Sequence, residues 1–119
     1  MPKKILIVDD DDNLRELYGF ELTQEGFIVD TAENAEEAFN KIETFKPDLI
    51  TMDIKMPGMN GIECMRKIKE ANRDMKVILS TAYSGYKEDF STWVSDAYVV
   101  KSSDLTELKV SIKKLLKES

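Results

Sequence analysis

The chain has 119 residues, 42% of them hydrophobic and 34% charged, with a formal net charge of −6. This length suits one domain with one core; no apolar run approaches the roughly 18 residues that span a bilayer, and the acidic balance argues against nucleic-acid binding, which needs a basic face. The absence of histidine and the single cysteine exclude histidine catalysis, an intrachain disulfide and a cysteine metal site, so the chemistry must rest on carboxylates, lysines and hydroxyls. Because the apolar stretch at the N-terminus is also too short for a secretory signal, we expect a cytoplasmic protein without membrane or nucleic-acid partners.

Short apolar runs along the chain predict the strands of a parallel sheet. Four of them are too short for a buried helix, and continuous rather than alternating apolarity is typical of strands covered on both faces. These runs are Ile5–Val8, Leu49–Met52, Val77–Ser80 and Ala97–Val100. A weaker, alternating run, Phe27–Ala32, predicts a strand nearer an edge of the sheet.

Amphipathic patterns between the strands predict helices. Asn34 with Glu37 three residues later resembles a capping box, which marks a helix start, and Gly26 is a suitable stop for the first helix. The predicted helices are Asn13–Glu25, one from Asn34 to the Lys-Pro-Asp turn at 46–48, Gly61–Asn72 and Asp104–Lys117. Strands that alternate with helices predict a doubly wound α/β fold.

The segment Tyr83–Asp96 has mixed signals. The spacing of Phe90, Trp93 and Val94 is helical, but Gly85 and the serines and threonine of the segment disfavour a helix. We expect a fourth helix here that is short or poorly formed, and less ordered than the rest. Trp93 fits either a core anchor for this helix or an exposed contact with a partner.

Polar residues follow the buried runs directly. They are Asp9 and Asp10 after the first strand, Asp53 after the third, Thr81 after the fourth and Lys101 after the fifth. In an open α/β sheet, ligands bind outside the carboxyl ends of the strands. We therefore expect three carboxylates, one hydroxyl and one ammonium to form a site at that edge.

Three neighbouring carboxylates need counter-charges to stay ionised together. Lys101 supplies one positive charge, and a divalent cation would supply two more. Oxygen ligands alone point to a hard ion, Mg²⁺. Between these cations Asp53 can receive a transferred phosphoryl group, the Thr81 hydroxyl can donate to a phosphoryl oxygen, and the small Ala82 leaves access.

Asp11 and Asp12 are interpreted separately from the two aspartates before them. Negative side chains suit the start of a helix, so we assign both to the beginning of the first helix. The spacing of Asp9, Asp11 and Asn13 also resembles an EF-hand calcium loop. Leucine and phenylalanine stand where that loop requires glycine and glutamate, so the EF-hand is excluded.

Four segments, in order, resemble the receiver domains of response regulators in two-component signalling. They are ILIVDDDDNLRELY, PDLITMDIKMPGMNGIE, VILSTAY and DAYVVK, and together they extend over essentially the whole chain. The resemblance implies one receiver domain over residues 1–119, with a flavodoxin-like fold and strand order 2-1-3-4-5. It implies a signalling switch that promotes only its own phosphorylation and dephosphorylation, rather than an enzyme acting on external substrates.

The resemblance also implies a phosphoacceptor and a metal site. Asp53 would accept a phosphoryl group from the phosphohistidine of a histidine kinase or histidine phosphotransfer protein. Asp9, Asp10 and Asp53, with the backbone carbonyl of Lys55, would hold Mg²⁺. A downstream protein would be the target of the switch.

Further residues match positions that bind and report the phosphoryl group. Thr81 and Lys101 match the hydroxyl and lysine of the family, and Tyr98 matches its switch aromatic. The position of Tyr98 in a strand fits plain packing equally well. Lys55 and Tyr83, each two residues beyond a strand-end site residue, are expected to flank the acyl phosphate and tune its lifetime by excluding water.

Two departures from the family pattern leave an alternative open. Ser102 stands where the family has a proline after the lysine, which puts the usual cis peptide in question, and the stretch from Thr81 to Lys101 is a few residues short. A phosphorylation-independent interaction module on a receiver scaffold is the alternative, although the acidic and lysine positions disfavour it. A metal-dependent phosphatase is disfavoured because no residues remain for a substrate-binding lid.

Overall fold

The computed structural model describes residues 2–82, 95–101 and 104–117. Five strands and four helices alternate within these ranges, apart from the step between the last two strands. In chain order they are β1 (Lys4–Val8), α1 (Asp12–Gln24), β2 (Ile28–Ala32), α2 (Ala35–Thr44), β3 (Leu49–Asp53), α3 (Gly61–Ala71), β4 (Lys76–Thr81), β5 (Ala97–Val100) and α4 (Thr106–Leu116). None of these helices is long and apolar enough to cross a membrane.

The strands form a single parallel sheet in the order β2-β1-β3-β4-β5. The predicted doubly wound α/β fold with this strand order is therefore confirmed. All five residues of the central strand β3 are buried, whereas β2 has an exposed or half-buried side chain at each of its first four positions. This difference confirms that the alternating run forms an edge strand.

Two apolar layers cover the sheet. On the first face, which we call the α1/α4 face, Ile7, Ile78 and Val99 pack with Tyr18 of α1 and Leu108 of α4. On the second, the α2/α3 face, the alternate strand residues pack against α2 and α3; they include Leu6, Ile50, Met52, Val77, Leu79, Ala38 and Met65. Because side chains alternate along each strand, the face of a strand-end residue follows from the core residues before it.

Local capping explains where the helices begin. The Asp11 carboxylate accepts from the backbone N–H groups of Asn13 and Leu14, so Asp11 is the N-cap of α1. Asn34 caps α2 in the same way by accepting from the Glu37 N–H at 2.8 Å. Both interpretations as helix-start residues are confirmed, and Asp12 is the first residue of α1.

The last helix starts two residues later than its sequence pattern predicts. The Asp104 carboxylate accepts hydrogen bonds from both the backbone N–H and the hydroxyl of Thr106. Asp104 therefore belongs to a turn before α4 and is not the first residue of the helix. The expected fourth helix falls almost wholly on residues 83–94, outside the described residues, together with Tyr83 and Trp93. The peptide bond between Lys101 and Ser102 also lies outside them.

Candidate functional site

Three charged side chains meet at the carboxyl edge of the sheet, on the α1/α4 face. Asp9 follows β1, Asp53 is the last residue of β3, and Lys101 follows β5. Each follows by two residues a strand residue whose side chain faces α1 and α4, so its own side chain lies on that face too. The strand β3 thus extends one residue further than its apolar run predicts, and it carries Asp53 within the sheet.

Lys101 is shared between the two buried aspartates. Its ammonium donates to Asp9 Oδ2 at 2.6 Å and to Asp53 Oδ1 at 3.1 Å. Only 17% of the lysine side chain is exposed, against 3% and 7% for the two carboxylates. The backbone N–H of Lys101 also donates to the Thr81 carbonyl at 2.6 Å, which fixes the end of β5 against the end of β4.

The charges of this cluster shift two pKa values. Burial, with the negative charge of Asp9, raises the pKa of Asp53 from 3.8 to about 6, although Lys101 acts in the opposite direction. Burial alone would lower the pKa of Lys101, but its hydrogen bonds and attraction to Asp9 and Asp53 outweigh burial and raise it. Lys101 therefore stays charged, whereas ionisation of Asp53 is less favourable in the folded protein than in water.

A third carboxylate joins the site from the solvent side. Asp9, Asp10 and Asp53 each offer an oxygen, and these oxygens lie within 4.8 Å of one another. Asp10 is exposed, whereas the other two are buried. An all-oxygen group open to water on one side fits a hard cation such as Mg²⁺, which keeps several water ligands. The residues present therefore fit the expected metal.

The loop that carries Asp9 and Asp10 is tied down on both sides. Asp9 Oδ1 accepts from the backbone N–H of Asp11 at 2.9 Å, and the Asp9 carbonyl accepts from Arg15 at 2.6 Å. The Arg15 side chain also contacts Asp12 and Glu33. The four consecutive aspartates thus occupy different environments: one buried, one facing the cation position, one capping α1 and one beside an arginine.

A close contact positions the acceptor strand against α3. A Cβ atom at Gly61 would lie 1.8 Å from the Asp53 carbonyl oxygen, so only glycine fits there. The Gly61 N–H donates to the Ile54 carbonyl at 2.7 Å. The start of α3 is therefore packed directly on the backbone of the residue expected to accept a phosphoryl group.

The remaining expected site residues lie in or just beyond β3, β4 and β5. Thr81 is the buried last residue of β4, and strand alternation puts its side chain on the α2/α3 face. Ala82 and Lys55 are exposed just beyond their strands. Tyr98 is half-buried against the core of the α2/α3 face. Tyr83 lies outside the described residues.

Two hydroxyl residues near the site were not predicted from the sequence. Ser80 is the β4 residue aligned with Asp53, and Tyr18 of α1 is buried in the core of the same face of the sheet. In the sequence, Tyr18 is one of the apolar residues of the amphipathic pattern that predicts the first helix, and nothing else marks it. A buried phenol usually finds a polar partner. This rule was the one signal in the sequence that polar groups could lie beside the apolar face of the first helix.

Comparison with known proteins defines the family. The family model for the response regulator receiver domain matches residues 5–113. The chain belongs to this family. Receiver chains of known structure share its fold: response regulator protein TrrA from Thermotoga maritima, in complex with Mg²⁺-BeF, superposes with a TM-score of 0.92 at 50% identity, covering 95% of this receiver domain and 98% of TrrA.

Two further relatives differ in how much of their own length the match covers. Sporulation initiation phosphotransferase F of Bacillus subtilis is 32% identical over 98% of this chain and 95% of its own length. Alkaline phosphatase synthesis transcriptional regulatory protein PhoP of the same organism is 33% identical over 100% of this chain, but the match spans only 50% of PhoP. The receiver domain thus corresponds to about half of that relative.

Proposed function

We propose that this receiver domain is a phosphoacceptor switch in a two-component phosphorelay, with Asp53 as the acceptor. The carrying observation is the Lys101 ammonium held between buried Asp53 and Asp9, with Asp10 completing an oxygen cluster at the carboxyl edge of the sheet. Support for a histidine kinase as donor comes from a crystal structure of histidine kinase ThkA with TrrA, whose matched chain is 51% identical to this one with a TM-score of 0.90, over 96% of this chain and 98% of that one.

In the proposed transfer, an ionised Asp53 oxygen attacks the phosphorus of a phosphohistidine. A P–O bond forms, the P–N bond breaks, and the electron pair leaves with the imidazole, which takes a proton from water. Lys101 favours the ionised form of Asp53 that attacks, and the tight packing of β3 on Gly61 holds its backbone in place. A histidine phosphotransfer protein could serve as donor by the same chemistry.

Asp9, Asp10, Asp53 and the backbone carbonyl of Lys55 are the proposed Mg²⁺ ligands. When bound, Mg²⁺ supplies positive charge that neutralises the phosphoryl oxygens as charge develops on them. The exposed position of Asp10 leaves one side of the site open to water ligands and to the donor. Buried Asp9 has a second task, because it also holds Lys101.

Thr81 and Tyr98 are proposed to convert phosphorylation into a change of surface. Lys101 and the Thr81 hydroxyl would bind phosphoryl oxygens, and Ala82 would leave access to them. In the register of β4 and β5, Leu79 pairs with Tyr98 and Thr81 pairs with Val100. Thr81 and Tyr98 therefore share the α2/α3 face on neighbouring strands, which supports a coupled movement of the two side chains.

We further propose that residues 1–119 act as one receiver domain in the cytoplasm, that it promotes only its own phosphorylation and dephosphorylation, and that a downstream protein reads its state. Lys55 and Tyr83 are proposed to set the lifetime of the acyl phosphate by shielding it from water. Lys55 is exposed two residues beyond Asp53, which suits that role.

The test is phosphorylation by a small-molecule phosphodonor with and without Mg²⁺, followed by intact mass. We expect one phosphoryl adduct that requires Mg²⁺ and disappears in Asp53→Asn. Asp48→Asn is the matched control, because it makes the same change just before the opposite end of β3 and should keep the adduct. Absence of an adduct on the wild type under all conditions would overturn the proposal and favour the phosphorylation-independent module.

A further inference from the structure

Arg15 contacts the backbone of the acidic loop, and the function proposed above gives this arginine no role. It is the fourth residue of α1, near the positive end of the helix dipole, which disfavours a cationic side chain. Its side chain is nevertheless only 15% exposed. Burying most of a guanidinium is costly unless its N–H groups find acceptors, so its partners should explain its position.

The main partner of Arg15 is the carbonyl oxygen of Asp9. Arg15 Nη1 donates to this oxygen at 2.6 Å, and hydrogen bonds from charged donors are shorter and stronger than neutral ones. The carbonyl belongs to the peptide unit that joins Asp9 to Asp10, two of the three carboxylates of the proposed cation site. The backbone N–H of Asp9 donates to the Ala32 carbonyl at 3.0 Å. Both backbone groups of Asp9 are therefore fixed by hydrogen bonds.

Two carboxylates orient the arginine from its other side. Arg15 Nη2 contacts Asp12 of α1 and lies 3.7 Å from Glu33 Oε2, in the turn after β2. Both carboxylates are mostly exposed, so each pair adds little stability by itself. A planar guanidinium that is held through two nitrogens has little freedom left. Arg15 thus links the end of β1, the start of α1 and the turn after β2.

The peptide and the charge of Arg15 would act on a bound cation in opposite directions. A rotation of the peptide between Asp9 and Asp10 would separate carboxylate oxygens that lie within 4.8 Å of each other. Fixing that peptide before the ion binds reduces the ordering cost of binding. The positive charge of the guanidinium, by contrast, repels a divalent cation. The two effects therefore predict opposite changes in Mg²⁺ affinity when Arg15 is removed.

We propose that Arg15 is a positioning residue for the cation site. Its hydrogen bond to the Asp9 carbonyl fixes the peptide between Asp9 and Asp10, so that both carboxylates are in place before Mg²⁺ binds. Arg15 acts through the backbone and does not contact the ion, since both are positively charged. This inference rests on the proposed function, because it concerns the Mg²⁺ site of that function.

Arg15→Met is the first test, because it removes the donors and keeps a long side chain. In a titration with Mg²⁺ alone, followed by backbone amide signals, we expect the dissociation constant to rise about tenfold, the lower end of the effect of removing a group that orients metal ligands. Arg73→Met is the matched control. Arg73 is exposed in the turn before β4, at the opposite edge of the sheet, and its loss should change the constant by less than about twofold.

The sign of the change separates positioning from charge. If Arg15 acted only as a positive charge, its removal would lower the dissociation constant. Unchanged or tighter binding in Arg15→Met would therefore overturn the inference, and so would equal weakening in Arg73→Met. If Arg15→Met does not fold, Arg15→Lys takes its place. Lysine keeps the charge but lacks the fork that holds two partners, so binding should still weaken, and wild-type affinity would overturn the inference.

The Mg²⁺-free protein tests the contact itself. The carbonyl carbon shift of Asp9 and the amide nitrogen shift of Asp10 both report the hydrogen bond on the peptide that they share. These shifts should move in Arg15→Met and stay in place in Arg73→Met. Shifts that stay in place in Arg15→Met would reduce the arginine to a partner of surface carboxylates and overturn the inference.

Phosphorylation by acetyl phosphate gives a further separation. In Arg15→Met, the Mg²⁺ concentration for half the maximal rate should rise, while the rate at saturating Mg²⁺ stays within about twofold of wild type. A lower saturating rate with unchanged Mg²⁺ dependence would overturn the inference. A wild type that binds no Mg²⁺ would overturn the proposed function together with this inference, whereas wild-type binding that Arg15→Met leaves unchanged would overturn the inference alone.

Discussion

Two lysine–carboxylate clusters in this receiver domain have similar distances and opposite electrostatics. In the site, Asp53 lies 3.1 Å from Lys101, and its pKa is raised to about 6 by burial and by a neighbouring aspartate. On the surface between α1 and α4, Glu25 lies 2.5 Å from Lys113, and the hydrogen bond and charge of that lysine lower its pKa. Both carboxylates have a lysine beside them, so burial and a neighbouring negative charge decide whether the pKa rises or falls.

The surface cluster shows what the same residue types do in water. Lys109 joins Glu21 at 2.8 Å and also approaches Glu25, so two helices distant in sequence are linked by charges. Exposed pairs of this kind contribute little, because water and salt screen them. The site cluster has the stronger interactions and also the larger desolvation cost, which a bound cation would offset. The comparison shows that the charged residues at the carboxyl edge of the sheet cost the metal-free domain more free energy than the surface pairs do.

Removing the Lys101 ammonium, which the two buried aspartates share, should produce the largest loss of stability. Lys101→Met leaves Asp9 and Asp53 buried side by side without a counter-charge. In Mg²⁺-free protein we expect the free energy of unfolding in urea to fall by about 3 kcal/mol. Added Mg²⁺ should restore part of it. Lys109→Met on the surface is the control, and an equal loss in that variant would contradict the distinction between the clusters.

The second-largest effect should be a change in stability with pH that is caused by Asp53. Its pKa is higher in the folded protein than the ordinary 3.8 expected in the unfolded chain, so the folded state binds the proton more tightly. The free energy of unfolding of Mg²⁺-free protein should therefore gain up to about 3 kcal/mol from this group as pH falls through about 6 towards about 4. Asp53→Asn should lack this gain, and urea titrations of both proteins across that range would reveal it; parallel curves would refute it.

Asp10 and Asp9 should differ although they are adjacent. Asp10 is exposed, so Asp10→Ala should weaken Mg²⁺ binding about tenfold, which is about 1.4 kcal/mol, with little change in metal-free stability. Asp9→Ala should weaken binding and also destabilise the metal-free fold, because Asp9 holds Lys101 and the Asp11 N–H. Isothermal titration and urea unfolding measure the two effects. Equal behaviour of the two variants would argue against the division of roles.

The surface cluster should give the smallest effect and the opposite pH trend. The pKa of Glu25 is below its ordinary value, so its stabilising contribution exists above that ordinary value and disappears as pH falls through the lowered one. Glu25→Gln should shift the urea midpoint only slightly at low salt, and added salt should remove the difference. A salt-resistant difference would mean that this pair is not merely a surface contact.

Much of the fold and part of the site could be predicted because the relevant signals are local. The apolar runs located every strand, and the polar residue after each run identified Asp9, Asp53 and Lys101 as neighbours. Parallel strands bring such residues to one edge whatever the details of packing. Asn34 was recognisable as a cap for the same reason, since a cap depends on residues two or three positions away. Asp11 was predicted only as a helix-start residue, and its hydrogen bond to the Asn13 N–H makes it the cap.

The remaining features depend on how distant segments pack, which a pattern does not contain. The sequence treats Asp9 and Asp10 alike, but only the docking of α1 and β5 buries one and pairs it with Lys101. Ser80 looked like the end of an apolar run, and its alignment with Asp53 needed the register of β3 with β4. The burial of Tyr18 on the same face of the sheet needed the packing of a helix on the sheet.

The contact at Gly61 gives the domain a mechanical linkage. Because α3 begins against the carbonyl of Asp53, with no side chain between them, we expect the strand end and the helix start to move together. The turn between them, around Gly58, closes a loop whose two ends are pinned by the Gly61–Ile54 hydrogen bond. We therefore expect a displacement of the Asp53 backbone to shift the start of α3, and changes of length at the tip of the loop to leave its base in place.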